Sequence, residues 1–152
     1  MQARTRIGLI VGGIGLVLNI CVSGFIGLCG PAVSLLGGGL AGFLAAQKEK
    51  PLTKADGARV GATSGAVATA LILIGQVLGA VSALAYFQFS RTPLPLGAAP
   101  PLSADPSQHL VYYATGVGTG LCFGLIGMVV GALAGAGTGY LATPEGAPTA
   151  SK

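Results

Sequence analysis

The chain has 152 residues, of which 52% are hydrophobic and 8% are charged, and its mean hydropathy is +0.78. A soluble domain carries about 25% charged residues, so an ordinary water-soluble domain is excluded, and the absence of polar–apolar alternation over about 10 residues excludes a transmembrane barrel. The net charge of +4 does not point to nucleic acid, because the basic residues flank apolar runs, where they hold membrane segments on the cytoplasmic side.

Several apolar runs exceed the roughly 20 residues that cross a bilayer. They predict an all-α fold in a single domain spanning 1–152: an integral membrane four-helix bundle built from two antiparallel helical hairpins with glycine-zipper packing. Helix 1 is expected over 7–28, after Arg4 and Arg6. The alternative, a secretory signal peptide, fits less well, since the run is long for an h-region and lacks an Ala-x-Ala site. Cys29-Gly30-Pro31 is a break, with Gly suited to a helix end and Pro to the next helix start. Helix 2 is expected over 31–47, with Gly37, Gly38, Gly39 and Gly42 at its middle.

The next stretch, with Lys48, Glu49, Lys50, Lys54, Asp56 and Arg59, is the most charged, and Pro51 interrupts any helix through it. Thr53 or Asp56 is the expected cap of helix 3, which spans 57–89 and is too long for a roughly 30 Å membrane core unless it tilts, kinks or projects. The loop 90–108 carries Pro93, Pro95, Pro100, Pro101 and Pro106 and reads as extended polyproline-like chain. Helix 4 is expected over 109–142, and the small, polar tail 143–152 as disordered.

Helix 4 holds the pattern that organises the chain. Gly116, Gly120 and Gly124 are four apart, and after one step of three Gly127, Gly131, Gly135 and Gly139 are again four apart. Positions four apart nearly eclipse one another on a helix, and a face of small residues lets a second backbone approach closely in lipid. Gly38 and Gly42 in helix 2 and Gly61 and Gly65 in helix 3 repeat the spacing, so these eleven glycines are the expected helix-packing positions. Helix 4 has more glycine than one neighbour can use, which predicts contacts on two faces, and the step at 124–127 is where a change of packing partner is expected.

Arg4, Arg6, Lys48, Lys50, Lys54, Arg59 and Lys152 fall on one side of this topology and Arg91 alone on the other. The positive-inside rule then puts both termini in the cytoplasm, with aromatic residues at the two interfaces. Arg6-Ile7-Gly8 with Gly12 matches Arg59-Val60-Gly61 with Gly65, and Gly42-Phe43-Leu44-Ala45 matches Gly139-Tyr140-Leu141-Ala142. The matches suggest one hairpin used twice in the same orientation. The pattern from Gly38 to Phe43, the charged loop and Gly57-Ala58-Arg59-Val60-Gly61-Ala62 through Gly65 resembles small four-helix, glycine-rich prokaryotic membrane proteins of unknown function. That resemblance implies a prokaryotic cytoplasmic (inner) membrane and no activity. The architecture alone is similar to the mitochondrial inner-membrane protein-import channel family.

Within the expected core there is no Asp, Glu, Lys, Arg or His, the groups that mark ion paths and proton relays in membranes. Asn19 and Gln76 are its strongest polar residues, read either as the lining of a cavity or, preferred, as an interhelical hydrogen bond between the two. Ser64, Thr63 and Thr69 are expected to bond back to their own helix, Cys21 and Cys122 to act as small packing residues, and His109 to sit solvated at the start of helix 4. No phosphate loop, metal motif or catalytic constellation is present in the sequence. The reading is therefore a multi-pass membrane protein with no catalytic, cofactor or metal residues, acting as a structural or interaction subunit. Its partners are the lipid bilayer and a second copy or another membrane protein. An oligomeric channel or facilitator for a small solute is the alternative.

Overall fold

The computed structural model describes residues 2–23, 30–90, 101 and 105–145. These residues are all-helical: α1 (Ala3–Ser23), α2 (Gly30–Glu49), α3 (Lys54–Ser90) and α4 (Pro106–Ala142). The expected continuation of helix 1 to 28, Phe25, Cys29, most of the proline-rich loop and the last residues of the tail lie outside the described residues.

The helix boundaries have local causes. Thr53 Oγ1 accepts a hydrogen bond from Asp56 N (3.1 Å) and donates one to Asp56 Oδ2 (2.7 Å), so Thr53 caps α3 and the helix begins at Lys54 rather than 57. Asp105 takes the N-cap position of α4 with Pro106 in the first turn, where a proline loses no helical hydrogen bond, so α4 begins at Pro106 rather than 109. At the end of α2, Lys50 adopts a positive φ of 48° and its N–H bonds to Ala46 O (3.0 Å), a left-handed termination followed at once by Pro51. The start of the tail is ordered, contrary to expectation. Thr143 is buried and donates to Gly139 O (2.9 Å), and Glu145 pairs with Lys54 (2.6 Å).

α2 and α3 form the centre, and α1 and α4 lie on opposite sides of that pair with almost no mutual contact. α1 runs parallel to α3: Gly8 lies against Ser64 and Val67, Gly12 against Ala68, and Gly75 against the backbone of Leu16. α2 runs parallel to α4, with Gly38 against Gly131 and Gly42 against Gly135. A two-fold exchange of hairpins would press α4 on α1 as α3 presses on α2. The separation of α1 from α4 departs from that symmetry.

α1, α3 and α4 are long and apolar enough to cross a membrane, and α2 is not among the helices that meet that measure. At about 1.5 Å per residue, the 37 residues of α3 and of α4 reach about 55 Å, against about 30 Å for α1 and α2. The long helices therefore continue as a pair beyond the described lengths of α1 and α2. Side-chain size is distributed inside out. The buried apolar residues are Ala41, Ala45, Ala46, Ala68, Val60 and Ile72, whereas Ile10, Ile14, Val17, Leu36, Leu133 and many other large apolar residues are exposed.

Candidate functional site

The interior is built on glycine. A Cβ at Gly42 would meet Gly135 Cα at 2.6 Å, and one at Gly135 would meet Gly61 O at 2.6 Å, Gly38 O at 3.0 Å and Gly65 Cα at 3.1 Å. Real Cβ atoms essentially never come under 3.0 Å, so these sites have room for hydrogen only. Gly38, Gly61, Gly65, Gly131 and Gly135 thus form a point where the backbones of α2, α3 and α4 converge. Ile72, fully buried, fits its side chain between Gly15 of α1 and Gly37 of α2.

The α4 glycines divide at the step of three. Gly116 faces Leu84, Gly120 faces Ala80, and Gly124 faces Leu73 and Gln76, all on α3. From Gly127 onward the ladder also meets α2: Gly127 at Ser34 and Pro31, Gly131 at Ser34 as well as Thr69, and Gly135 at Gly38. Gly139 lies against Gly57 and Gly61. Both neighbours of α4 therefore belong to the same chain. Gly8, Gly12, Gly57 and Gly75 are equally tight positions outside the eleven singled out above, and the spacings of four from Gly8 to Gly12, Gly57 to Gly61 and Gly75 to Gly79 are their signal in the sequence.

Buried polar groups decorate this framework. Ser64 Oγ donates to Ala41 O (3.1 Å), crossing from α3 to α2 instead of bonding back to its own helix. Thr69 and Thr63 do bond back, to Gly65 O (2.9 Å) and Arg59 O (2.7 Å). Thr138 Oγ1 ties α4 to α2 at Gly39 O (2.8 Å).

Asn19 and Gln76 are 1% and 3% exposed. They are not bonded to each other as expected. Asn19 Nδ2 donates to Ile72 O (3.0 Å), one turn below Gln76 on α3, which pins the end of α1 to α3. The Gln76 amide lies against Gly30, the first residue of α2, where any Cβ would collide with it. Among the described residues, Asn19 Oδ1 and Gln76 Oε1 have no hydrogen-bond partner. An orphaned buried acceptor costs about 1–3 kcal/mol, so the two amide oxygens are the polar valences the core leaves open.

A second polar group lies at the far ends of the long helices. Tyr113 OH donates to Gln88 Oε1 (2.8 Å), and Gln88 Nε2 bonds to His109 Nδ1 (2.7 Å). With the amide nitrogen donating, the imidazole hydrogen sits on Nε2. Tyr112 OH donates to Leu84 O (3.2 Å). His109 is thus a bridge between α3 and α4 rather than a freely solvated residue. Cys21 and Cys122 are both exposed rather than packed inside.

The opposite end gathers the charges. Arg4 N donates to Glu49 Oε1 (2.8 Å), and the Lys54 ammonium, which pairs with Glu145, stands 5.1 Å from the centroid of the Tyr140 ring. The hydrogen bond from Lys54, followed by its positive charge, holds the Glu145 carboxyl below its usual range. No three His, Cys, Asp or Glu side chains among the described residues stand together as metal ligands. Compared with family models, curated proteins and solved structures, the chain matches none.

Proposed function

We propose that this is a multi-pass integral protein of a prokaryotic cytoplasmic membrane, with both termini inside, packed as a glycine zipper and acting as a non-catalytic structural or interaction subunit. The inside-out distribution of size supports the membrane reading. A core of glycine and alanine under a shell of exposed Leu, Ile and Val is unstable in water, where contiguous apolar patches seek cover, and suits lipid, where close backbone packing drives helix association. The orientation rests on Arg4, Arg6, Lys48, Lys50, Lys54 and Arg59 at one end.

The observation that carries the interaction role is the extension of α3 and α4 beyond α1 and α2. Tyr86, Phe89, Leu110 and Val111 are each more than 60% exposed there, on a two-helix stalk whose ladder glycines are already used within the chain. That surface suits a second copy or another membrane protein. Purification in mild detergent tests it: a co-purifying partner or a defined oligomer is expected, and a monodisperse lone monomer would count against the role. A cysteine replacing Ser103 should be labelled from outside, and failure to label would reverse the topology.

A second reading, a channel or facilitator for a small solute, is favoured by one observation, the unpartnered acceptors of Asn19 and Gln76. Solute flux into proteoliposomes separates the readings. A channel requires flux that changes with Asn19→Leu or Gln76→Leu, whereas a structural subunit shows none.

A further inference from the structure

At the charged end of the bundle, α1 and α2 enclose a groove of about 300 Å³ lined by Ala3, Arg6, Ile7, Ile10 and Lys48. Among the described residues its lining holds two cations and no anion. The ion pair found among the described residues is Lys54–Glu145, elsewhere on this end, and the acid next to Lys48, Glu49, is turned to the Arg4 backbone N–H. Arg6 and Lys48 come from different helices and converge on one space. The floor beneath them is apolar and continues along α1, where Ile10, Ile14 and Val17, four and three apart on one face, are 54%, 59% and 60% exposed. A charged mouth above an apolar strip is the complement of a molecule with an anionic head and a hydrocarbon tail.

We propose that this groove binds one anionic phospholipid, its phosphate held by Arg6 and Lys48 and an acyl chain laid along Ile10, Ile14 and Val17. Arginine grips phosphate oxygens in pairs, whereas lysine supplies a point charge. Basic pockets between helices on the cytoplasmic side recognise anionic headgroups in this way. The proposal rests on the membrane reading above. It commits the site to a lipid rather than a free anion because three of the five lining side chains, Ala3, Ile7 and Ile10, are apolar.

Native mass spectrometry of the full chain in detergent, titrated with dioleoyl phosphatidylglycerol or dioleoyl phosphatidylcholine, tests it. One phosphatidylglycerol per chain should be retained in preference to phosphatidylcholine, and excess inorganic phosphate should not displace it. At about 1 kcal/mol per basic residue facing an anionic surface, Arg6→Gln or Lys48→Gln should each weaken binding about five-fold and the pair about 30-fold. The double variant Lys50→Gln with Arg59→Gln removes the same charge from the same end but outside the groove, and should change binding less than about two-fold. All four side chains are exposed, and unchanged far-UV circular dichroism shows that the variants remain folded.

Equal losses in groove and control variants would reduce the effect to diffuse charge and overturn the site. Displacement by phosphate would assign it to a soluble anion and overturn the lipid. Alkaline carbonate extraction of membranes separates the two levels of failure. Protein that stays in the pellet yet shows no lipid preference refutes the groove alone, and protein released to the supernatant refutes the membrane reading with it.

Discussion

Gly42→Ala puts the packing argument at risk. The new Cβ would stand 2.6 Å from Gly135 Cα and 2.8 Å from its carbonyl carbon. An ordinary contact begins at about 3.4 Å, and the atoms in the way are helix backbone, which has no rotamer to change. The Gly135 carbonyl oxygen is closer still, so α2 and α4 must separate by at least roughly 0.8 Å, a gap that already forfeits a quarter to a half of each dispersion well along the seam. Overpacking of this kind costs about 1–3 kcal/mol. Alanine's helix propensity returns up to about 1 kcal/mol, so the net expectation is a loss of about 1–2 kcal/mol. Gly137→Ala is the control. It lies on the same helix as Gly135 and its Cβ would meet nothing within 4 Å, so it should be neutral or stabilising by up to about 1 kcal/mol. Unfolding in mixed micelles of rising dodecyl sulfate content, followed by far-UV circular dichroism, measures both. If Gly42→Ala is as stable as Gly137→Ala within about 0.5 kcal/mol, the close approach of α2 to α4 is wrong. Because Gly61 also presses on Gly135, the double variant Gly42→Ala with Gly61→Ala should cost less than the sum of the singles.

Lys50→Gly should stabilise the protein by about 0.5–1 kcal/mol, since it relieves a left-handed residue at the end of α2; a lower thermal midpoint would refute that turn. Thr53→Ala should cost about 1 kcal/mol by removing the α3 cap, measured as a fall in the same midpoint. Asn19→Leu gives up an interhelical hydrogen bond, worth about 0.6 kcal/mol if the bundle sits in lipid as proposed, but also removes an orphaned oxygen, so its stability should stay within about 1 kcal/mol of the parent. A loss above about 3 kcal/mol would mean that the amide holds something more than Ile72 O. The Glu145 carboxyl is held low by Lys54, and a depressed folded value contributes stability above the unfolded pKa that is lost as pH falls through the folded one. Release of the chain after α4 should therefore set in below about pH 4.3. Glu145→Gln should abolish that dependence in the amide resonance of Thr143 while leaving the remaining helical resonances unmoved.

Much of the fold was legible because its rules are local. Length of apolar run, Pro51 and Pro106, and the Thr53–Asp56 spacing depend on neighbours within a few residues, so four helices and the α3 cap could be read directly. Boundaries slipped where capping decided them, as at Lys54 and Pro106, and the ordered Thr143 and Glu145 were missed because their partners are distant in sequence. The polar pair was half legible. Burial of Asn19 and Gln76 follows from their place in apolar runs, but their partners, Ile72 O and the start of α2, depend on how the helices are rotated about their axes. The two cations of the groove between α1 and α2 were visible one by one as Arg6 and Lys48, and no spacing rule joins residues 42 positions apart.

That the chain is helical, apolar and laced with faces of glycine follows from its residues alone, because helical period and residue size are properties of a single segment. The tertiary structure decided which faces meet. It placed α2 and α3 at the centre with α1 and α4 on either side, although the repeated hairpin motif suggests a more symmetric arrangement. It turned the α4 ladder from α3 alone to α2 and α3 together at Gly127, and it left Asn19 Oδ1 and Gln76 Oε1 without donors among the described residues. The physical reason is that a glycine face fixes how closely a helix can be approached but not by which helix. That choice is a sum of dispersion contacts and hydrogen bonds over the whole bundle, and it exists only once all four helices are in place.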